Sequence, residues 1–254
     1  MKKISILLIL LVTVSSFQFV SAQEVSENDT QKSDDSWEFK ITPYLWLSNI
    51  KGDLSVINQN VPVDIEFTDV LSNLKMAGML HVEAKKNKWS FIVDAFYAKL
   101  GVDGQIKGIL NRTKDVKLSV KESIIEGGLG YTFAQTGGFS MDALVGLRYF
   151  NVNTNVQIND NVIVDKDINF LDPYIGVRFL NEWNKWALSG RADIGGFDTG
   201  SDHSYKVNGL ISYKFSKSFA TSVGYQIYQP DYKEDKLEYN LANEGFLLGF
   251  TFGF

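Results

Sequence analysis

No cysteine occurs in the 254 residues, which removes disulfides, thiolate metal sites and thiol nucleophiles together. Histidine is nearly as scarce, with His81 and His203 alone, so acid–base chemistry near neutral pH has few carriers. Arginine occurs only at 112, 148, 178 and 191, and no basic stripe interrupts a net charge of −5. A nucleic-acid partner would demand clustered Lys and Arg to displace counterions, and none is expected. Beyond the first 22 residues no stretch approaches the ~18 uninterrupted apolar residues of a membrane-spanning helix. Yet 44% of the chain is hydrophobic while its mean hydropathy is only −0.08. Alternation of apolar with polar residues produces that combination, because averaging hides it.

What is present suits strands and tight turns: 18 Phe, 11 Tyr and 21 Gly against 4 Pro. The last nine residues, Phe246 to Phe254, put Phe246, Leu248, Phe250, Phe252 and Phe254 on one face. Gly245, Gly249, Thr251 and Gly253 take the other, with Leu247 breaking the polarity. A soluble sheet would need a second layer over those rings, whereas a lipid-facing barrel needs none.

At the other end, Lys2-Lys3, the apolar run from Ile4 to Val14 and the triplet Val20-Ser21-Ala22 have the three regions of a secretory signal peptide, with cleavage expected after Ala22. Residues 23–36 are polar, acidic and without periodicity, and read as a disordered periplasmic leader. Residues 37–254 then hold one domain.

Within that domain ten strands can be traced. The first, 37–50, sets Phe39, Ile41, Pro43, Leu45 and Leu47 against Glu38, Lys40, Thr42, Tyr44 and Trp46. The second, 75–85, turns Met79, His81 and Glu83 inward, and the third begins at Trp89 with Phe91, Val93, Ala95 and Tyr97 in phase. The fourth, 116–134, obeys no single phase, since Val116, Leu118 and Val120 are even while Ile125, Leu129, Tyr131 and Phe133 are odd. A β-bulge near 121–124 is expected to repair it. Strands over 139–149, 170–180, 186–196, 204–215, 219–229 and 241–254 follow. Lys206, Asn208, Lys214, Ser222 and Gln226 are among their inward residues.

Short connections near Lys86, Thr136, Asn184 and Ser216 alternate with longer polar ones. Trp37, Trp89, Phe139, Trp186 and Phe219 sit beside the short ones, where an aromatic girdle belongs. The expected fold is therefore an all-β, antiparallel up-and-down transmembrane barrel with short periplasmic turns and longer external loops. Its count is ten strands. The connection 51–74 carries its own alternation, which would make twelve if it spans, and two failed marginal strands would make eight.

The run Ile41-Thr42-Pro43-Tyr44-Leu45-Trp46-Leu47, Gly52, Phe67-Thr68-Asp69-Val70-Leu71, His81-Val82-Glu83-Ala84 and Trp89 with Asp94-Ala95-Phe96-Tyr97 resembles a family of poorly characterised, porin-like Gram-negative outer-membrane β-barrel proteins. The resemblance covers the N-terminal third and implies the barrel fold and the outer membrane, with its lipid and lipopolysaccharide as surroundings. The ending Phe250, Phe252, Phe254 is similar to the terminal signal that the outer-membrane assembly machinery reads. No catalytic motif and no cofactor come with the likeness, and the fold alone supplies neither.

Arg148, Arg178 and Arg191 all fall on the inward phase, as do Glu38, Glu83, Glu126, Asp142, Asp172 and Asp193. Two readings stand: a charge-paired network filling a narrow barrel, or the constriction of a pore for ions or very small solutes. His203, between Asp202 and Ser204 in an expected external loop, is the one hint of a rim-located hydrolase. Adjacent strand residues face opposite ways, so the cluster makes no relay by itself and no enzyme is expected. His81 with Glu83 offers two metal ligands without a third, and no metal site is expected.

Overall fold

The structure is a computed structural model that describes residues 36–56, 59–107, 113–158, 161–234 and 237–254. The expected signal peptide over 1–22 and nearly all of the expected leader lie outside the described residues. Two-residue turns follow from the sequence at Asn87-Lys88, Gly137-Gly138 and Asn184-Lys185. Asn87, Gly137 and Asn184 take positive φ values of 56°, 56° and 53°, matching the twist of the flanking strands.

Among the described residues eleven strands form: β1 (Glu38–Val56), β2 (Gln59–Ile65), β3 (Leu74–Lys86), β4 (Trp89–Lys107), β5 (Thr113–Thr136), β6 (Phe139–Ile158), β7 (Asn161–Trp183), β8 (Trp186–Gly196), β9 (His203–Lys214), β10 (Phe219–Glu234) and β11 (Leu237–Gly253). A helix, α1 (Phe67–Asn73), separates β2 from β3. Sequential antiparallel pairing runs from β3 to β11, and β1 pairs with both β3 and β11, closing a barrel of ten strands with β2 outside the ring. Phe254 seals the seam, its N–H donating to the Phe39 carbonyl at 2.9 Å.

The connection 51–74 therefore does not span. β1 pairs with β3 only over Glu38–Pro43, and from Ile50 to Val56 the same edge pairs with β2 instead. The polar connections 103–115 and 229–240, between the strands traced in the sequence, are largely hairpin extensions, because β4 pairs with β5 up to Lys107↔Thr113 and β10 with β11 up to Glu234↔Leu237.

The expected bulge over 121–124 is absent. β5 pairs with β4 and β6 in unbroken register through Lys121–Ile124, and its one irregularity lies between Thr132 and Ala134. The phase changes for another reason. In the half of the barrel near the short turns, odd positions of β5 and β6 are apolar and exposed (Ile125, Leu129, Phe133, Val145, Leu147, Tyr149). Beyond Tyr149 the outward residues become Asn151, Asn153 and Asn155, while the inward Ile124, Phe150 and Val152 join one buried cluster. Ile168 and Phe170 of β7 do the same. The apolar face thus switches from outside to inside without a change of register, as expected of strands that leave lipid and enter water. Leu247, the misfit of the terminal strand, is explained likewise, for it packs in the same cluster.

Ten residues separate Trp89 from Lys99 on β4. At about 3.3 Å per residue and a tilt of about 40° they rise about 25 Å, the height of a lipid-facing band. A girdle of rings marks its turn end. Trp89 contacts Tyr131 at 4.8 Å, Trp186 contacts Tyr213 at 4.9 Å, and Phe219 contacts both Phe215 and Phe252 at 5.6 and 5.4 Å.

Candidate functional site

The inward positions of β3 to β9 within the membrane half converge on two ionic clusters. In the deeper one Glu126 of β5 accepts from three cations: Arg148 Nε at 2.8 Å, Arg191 Nη2 at 2.9 Å and Lys206 Nζ at 2.9 Å. Asp193 joins the same two guanidiniums, accepting from Arg148 Nη2 and from Arg191 Nε, each at 2.7 Å. Arg148 and Asp193 are 0% exposed and Glu126 1%, whereas Arg191 and Lys206 keep a small exposure on the cavity below.

Aromatic faces complete it. Tyr174 is seated against Gly128 and Gly146, where a Cβ would come within 2.2 and 2.6 Å of its ring or hydroxyl. Its ring lies 5.1 Å from the Arg148 guanidinium and 5.0 Å from that of Arg191. Tyr228 covers Arg148 from elsewhere in the lumen at 4.8 Å. These contacts matter because Arg148 Nη1 has no hydrogen-bond partner among the described residues, and ring faces are what attract a desolvated cation there.

The second cluster lies nearer the turns. Arg178 of β7 reaches across to β3, forking onto Glu83 at 3.0 and 2.8 Å, and also donates to Asp142 at 3.0 and 2.7 Å. Thr132 holds the other oxygen of Asp142 at 2.7 Å. Beside it, Asp94 accepts the Tyr44 hydroxyl at 2.8 Å and lies 3.1 Å from His81 Nδ1. Four cations (Arg148, Arg178, Arg191, Lys206) are thus matched by four carboxylates (Glu83, Glu126, Asp142, Asp193).

Two of the residues expected in this network stand elsewhere. Asp172 is opposite Arg148 in the β6–β7 register but takes no ion pair among the described residues. It instead accepts from Ser201 N–H and Oγ at 2.7 Å each and from Ser204 Oγ at 2.8 Å, holding the β8–β9 connection down onto the lumen. Glu38 lies at the turn end opposite Lys85, outside both clusters. Lys206, expected only to point inward, and Asp94 and Tyr228 are members that the sequence did not assign to the network. Their inward phase was visible, but only the closure of the barrel puts β9 and β10 across from β5.

Above the deeper cluster the lumen is filled by rings. Phe150 stacks on Phe170 at 4.9 Å and contacts Tyr228 and Tyr239 at 6.0 and 5.6 Å, while Phe170 stacks on Tyr232 at 5.0 Å. Below it a cavity of about 270 Å³ is lined by both charged walls and, across from them, by the neutral Asn208, Ser222, Gly249 and Thr251.

At the rim, His203 is 3.7 Å from Asp231, and its neighbour Asp202 reaches Lys233 at 3.6 Å. Ser204 points the other way, into the lumen against Asp172, so His203, Asp202 and Ser204 do not assemble. Among the described residues no group of three or more His, Asp or Glu side chains could hold a metal.

No family model matches the chain, and no curated protein does. Among solved structures, the outer-membrane protease OmpT of Escherichia coli superposes with a TM-score of 0.53 over 89% of this chain and 99% of that one, at 10% identity. The fold is that of a Gram-negative outer-membrane β-barrel. The translocator domain of the autotransporter NalP from Neisseria meningitidis (TM-score 0.45, 8% identity, 87% and 90% covered) and the neisserial surface protein NspA (0.31, 12%, 85% and 96%) are more distant in shape. Similarity at this level concerns the path of the chain; the chemistry of the barrel rests on its own residues.

Proposed function

We propose that the chain is an integral outer-membrane barrel whose lumen is closed and whose role is structural. One observation carries the reading: the Arg148–Glu126–Asp193 cluster has essentially no solvent exposure and lies beneath the stacked Phe150, Phe170, Tyr232 and Tyr239 rings. A pore constriction needs its charges in contact with a water column, where they act on passing solutes. Here opposite charges neutralise one another and fill the interior, as inward groups of a narrow barrel do. The reading places the protein in the outer membrane, surrounded by its lipid and lipopolysaccharide and delivered there by the assembly machinery through Phe250, Phe252 and Phe254. It gives the chain no enzymatic activity.

A second reading, a narrow pore for ions or very small solutes, draws on the 270 Å³ cavity below the cluster. It requires the ring layer to move aside. Planar-bilayer recording on the folded protein separates the two. A quiet bilayer is expected, and discrete single-channel steps whose selectivity changes in Arg148→Ala would establish the pore instead.

A further inference from the structure

Lysines occupy an unusual place on the outer surface of β3 to β5. Lys99 of β4 and Lys121 of β5 are directly opposite each other in the register, and both sit on the outward phase. Side chains so paired lie about 5 Å apart at Cβ, and like charges in that arrangement repel. Lys75 of β3 joins them, its side chain draped over Gly101, where an added Cβ would meet its Cε at 2.9 Å. Among the described residues, neither Lys99 nor Lys121 takes part in an ion pair. On the same phase of β4, Asp103 stands four residues beyond Lys99 and opposite Lys117 of β5, while Asp165 and Asp167 stand on β7 and are bonded to Asn153 and Asn151.

The height of the lysines is equally informative. On β4 the outward residues Trp89, Phe91, Val93, Ala95 and Tyr97 are apolar or aromatic, and Lys99 is the next one up. On β5, Phe133, Tyr131, Leu129 and Ile125 lead through Ser123 to Lys121. Both lysines therefore stand about 25 Å above the turn-end girdle, where hydrocarbon ends and headgroups begin. On either side, Ser119, Ser123 and Asn153 flank Lys121 with neutral hydrogen-bonding groups.

We propose that Lys99 and Lys121, with Lys75 beside them, seat a phosphate of an outer-leaflet lipid headgroup. The anion relieves the repulsion across the β4–β5 pair, and the flanking hydroxyl and amide groups suit the polar groups around a phosphorylated sugar. The inference rests on the outer-membrane reading, which sets the level of the bilayer against the strands.

The test uses the full chain folded in a mild detergent and titrated with bis-phosphorylated lipid A, with fully dephosphorylated lipid A and with inorganic pyrophosphate, bound lipid being counted by native mass spectrometry. Phosphorylated lipid A should bind, and Lys99→Gln with Lys121→Gln should weaken it about thirtyfold, at about one kcal/mol per lysine near a charged lipid surface. The charge-matched pair Lys88→Gln with Lys185→Gln, in the short turns, should stay within about twofold. Equal binding by the Lys99/Lys121 variant, or an equal loss in the turn variant, would overturn the seat. So would tight binding of pyrophosphate alone or of dephosphorylated lipid A. Insertion of each protein into phospholipid vesicles, read from heat-modifiable gel migration, is scored separately. Failure of the parent to insert removes the outer-membrane reading, whereas normal insertion with unaltered lipid A binding removes only the lysine seat.

Discussion

The two halves of the barrel are built from the same strands and obey opposite rules. Near the short turns Arg148, Glu126 and Asp193 lie inside while Val145 and Leu147 face out. A few residues further along β6, Phe150 and Val152 lie inside while Asn151 and Asn153 face out. Hydrocarbon can take apolar side chains, so the membrane half has only its lumen in which to place polar ones. Water can take polar side chains, so the outer half builds an ordinary apolar core. The comparison teaches that the phase of alternation reports the solvent outside a strand and not the integrity of its register.

Glutamates four residues apart on β5 give the largest contrast. Glu126→Gln leaves three buried cations short of a charge and should cost about 3–5 kcal/mol. Glu122→Gln, on the same inward face but with Asn243 as its described partner, should stay within about 1 kcal/mol, since an amide can replace that hydrogen bond. Denaturant unfolding in detergent measures both, and equal effects would break the distinction between a charged and an apolar half.

The outer faces can be compared with one substitution. Val145→Arg places a charge against the middle of the lipid band and should destabilise vesicle-folded protein by about 2–4 kcal/mol. Asn153→Arg, two strand-steps above the band, should change stability by no more than about 0.5 kcal/mol. A large effect at 153 would mean that the bilayer reaches higher than Tyr149.

A third, more local loss is expected at the connection that closes over Asp172. Gly200 packs so closely on Leu171 and Asp172 that an added Cβ would stand 2.5 and 2.6 Å from their oxygens. Gly200→Ala should therefore lift the β8–β9 connection off Asp172 and cost about 1–3 kcal/mol, the usual range for overpacking. Faster amide exchange at Ser201 would locate the change.

Much of this was legible from the chain. Period-two alternation in 139–149 and 246–254, the Asn and Gly turns and the aromatic residues beside them are local signals, and each follows from strand geometry or from what a lipid face tolerates. Ten strands were the expectation from an even count and alternating connection lengths, with eight and twelve left open until β2 proved to lie outside the ring. The inward phase of Arg148, Arg178, Arg191, Glu83, Glu126, Asp142 and Asp193 was local too.

Pairing was not. Glu126 collects Lys206 from a strand four places away around the wall, and Arg178 reaches Glu83 across the lumen. Asp172 turned to Ser201 and Ser204 because the β8–β9 connection folds inward over it. The even-phase residues of β5 suggested a bulge because a single strand does not reveal which solvent surrounds each part of it. That becomes visible only when neighbouring strands are aligned, as where Tyr149 of β6 stands opposite Ile125 of β5 and Leu171 of β7 at the end of the apolar face on all three. The sequence by itself determined the strands, their faces and their turns, since those depend on nearest neighbours and a two-residue period. Which charges meet, what covers them, and where lipid gives way to water were decided by tertiary structure, because those depend on distances between residues far apart in the chain, such as Trp46 and Leu247 in one buried cluster.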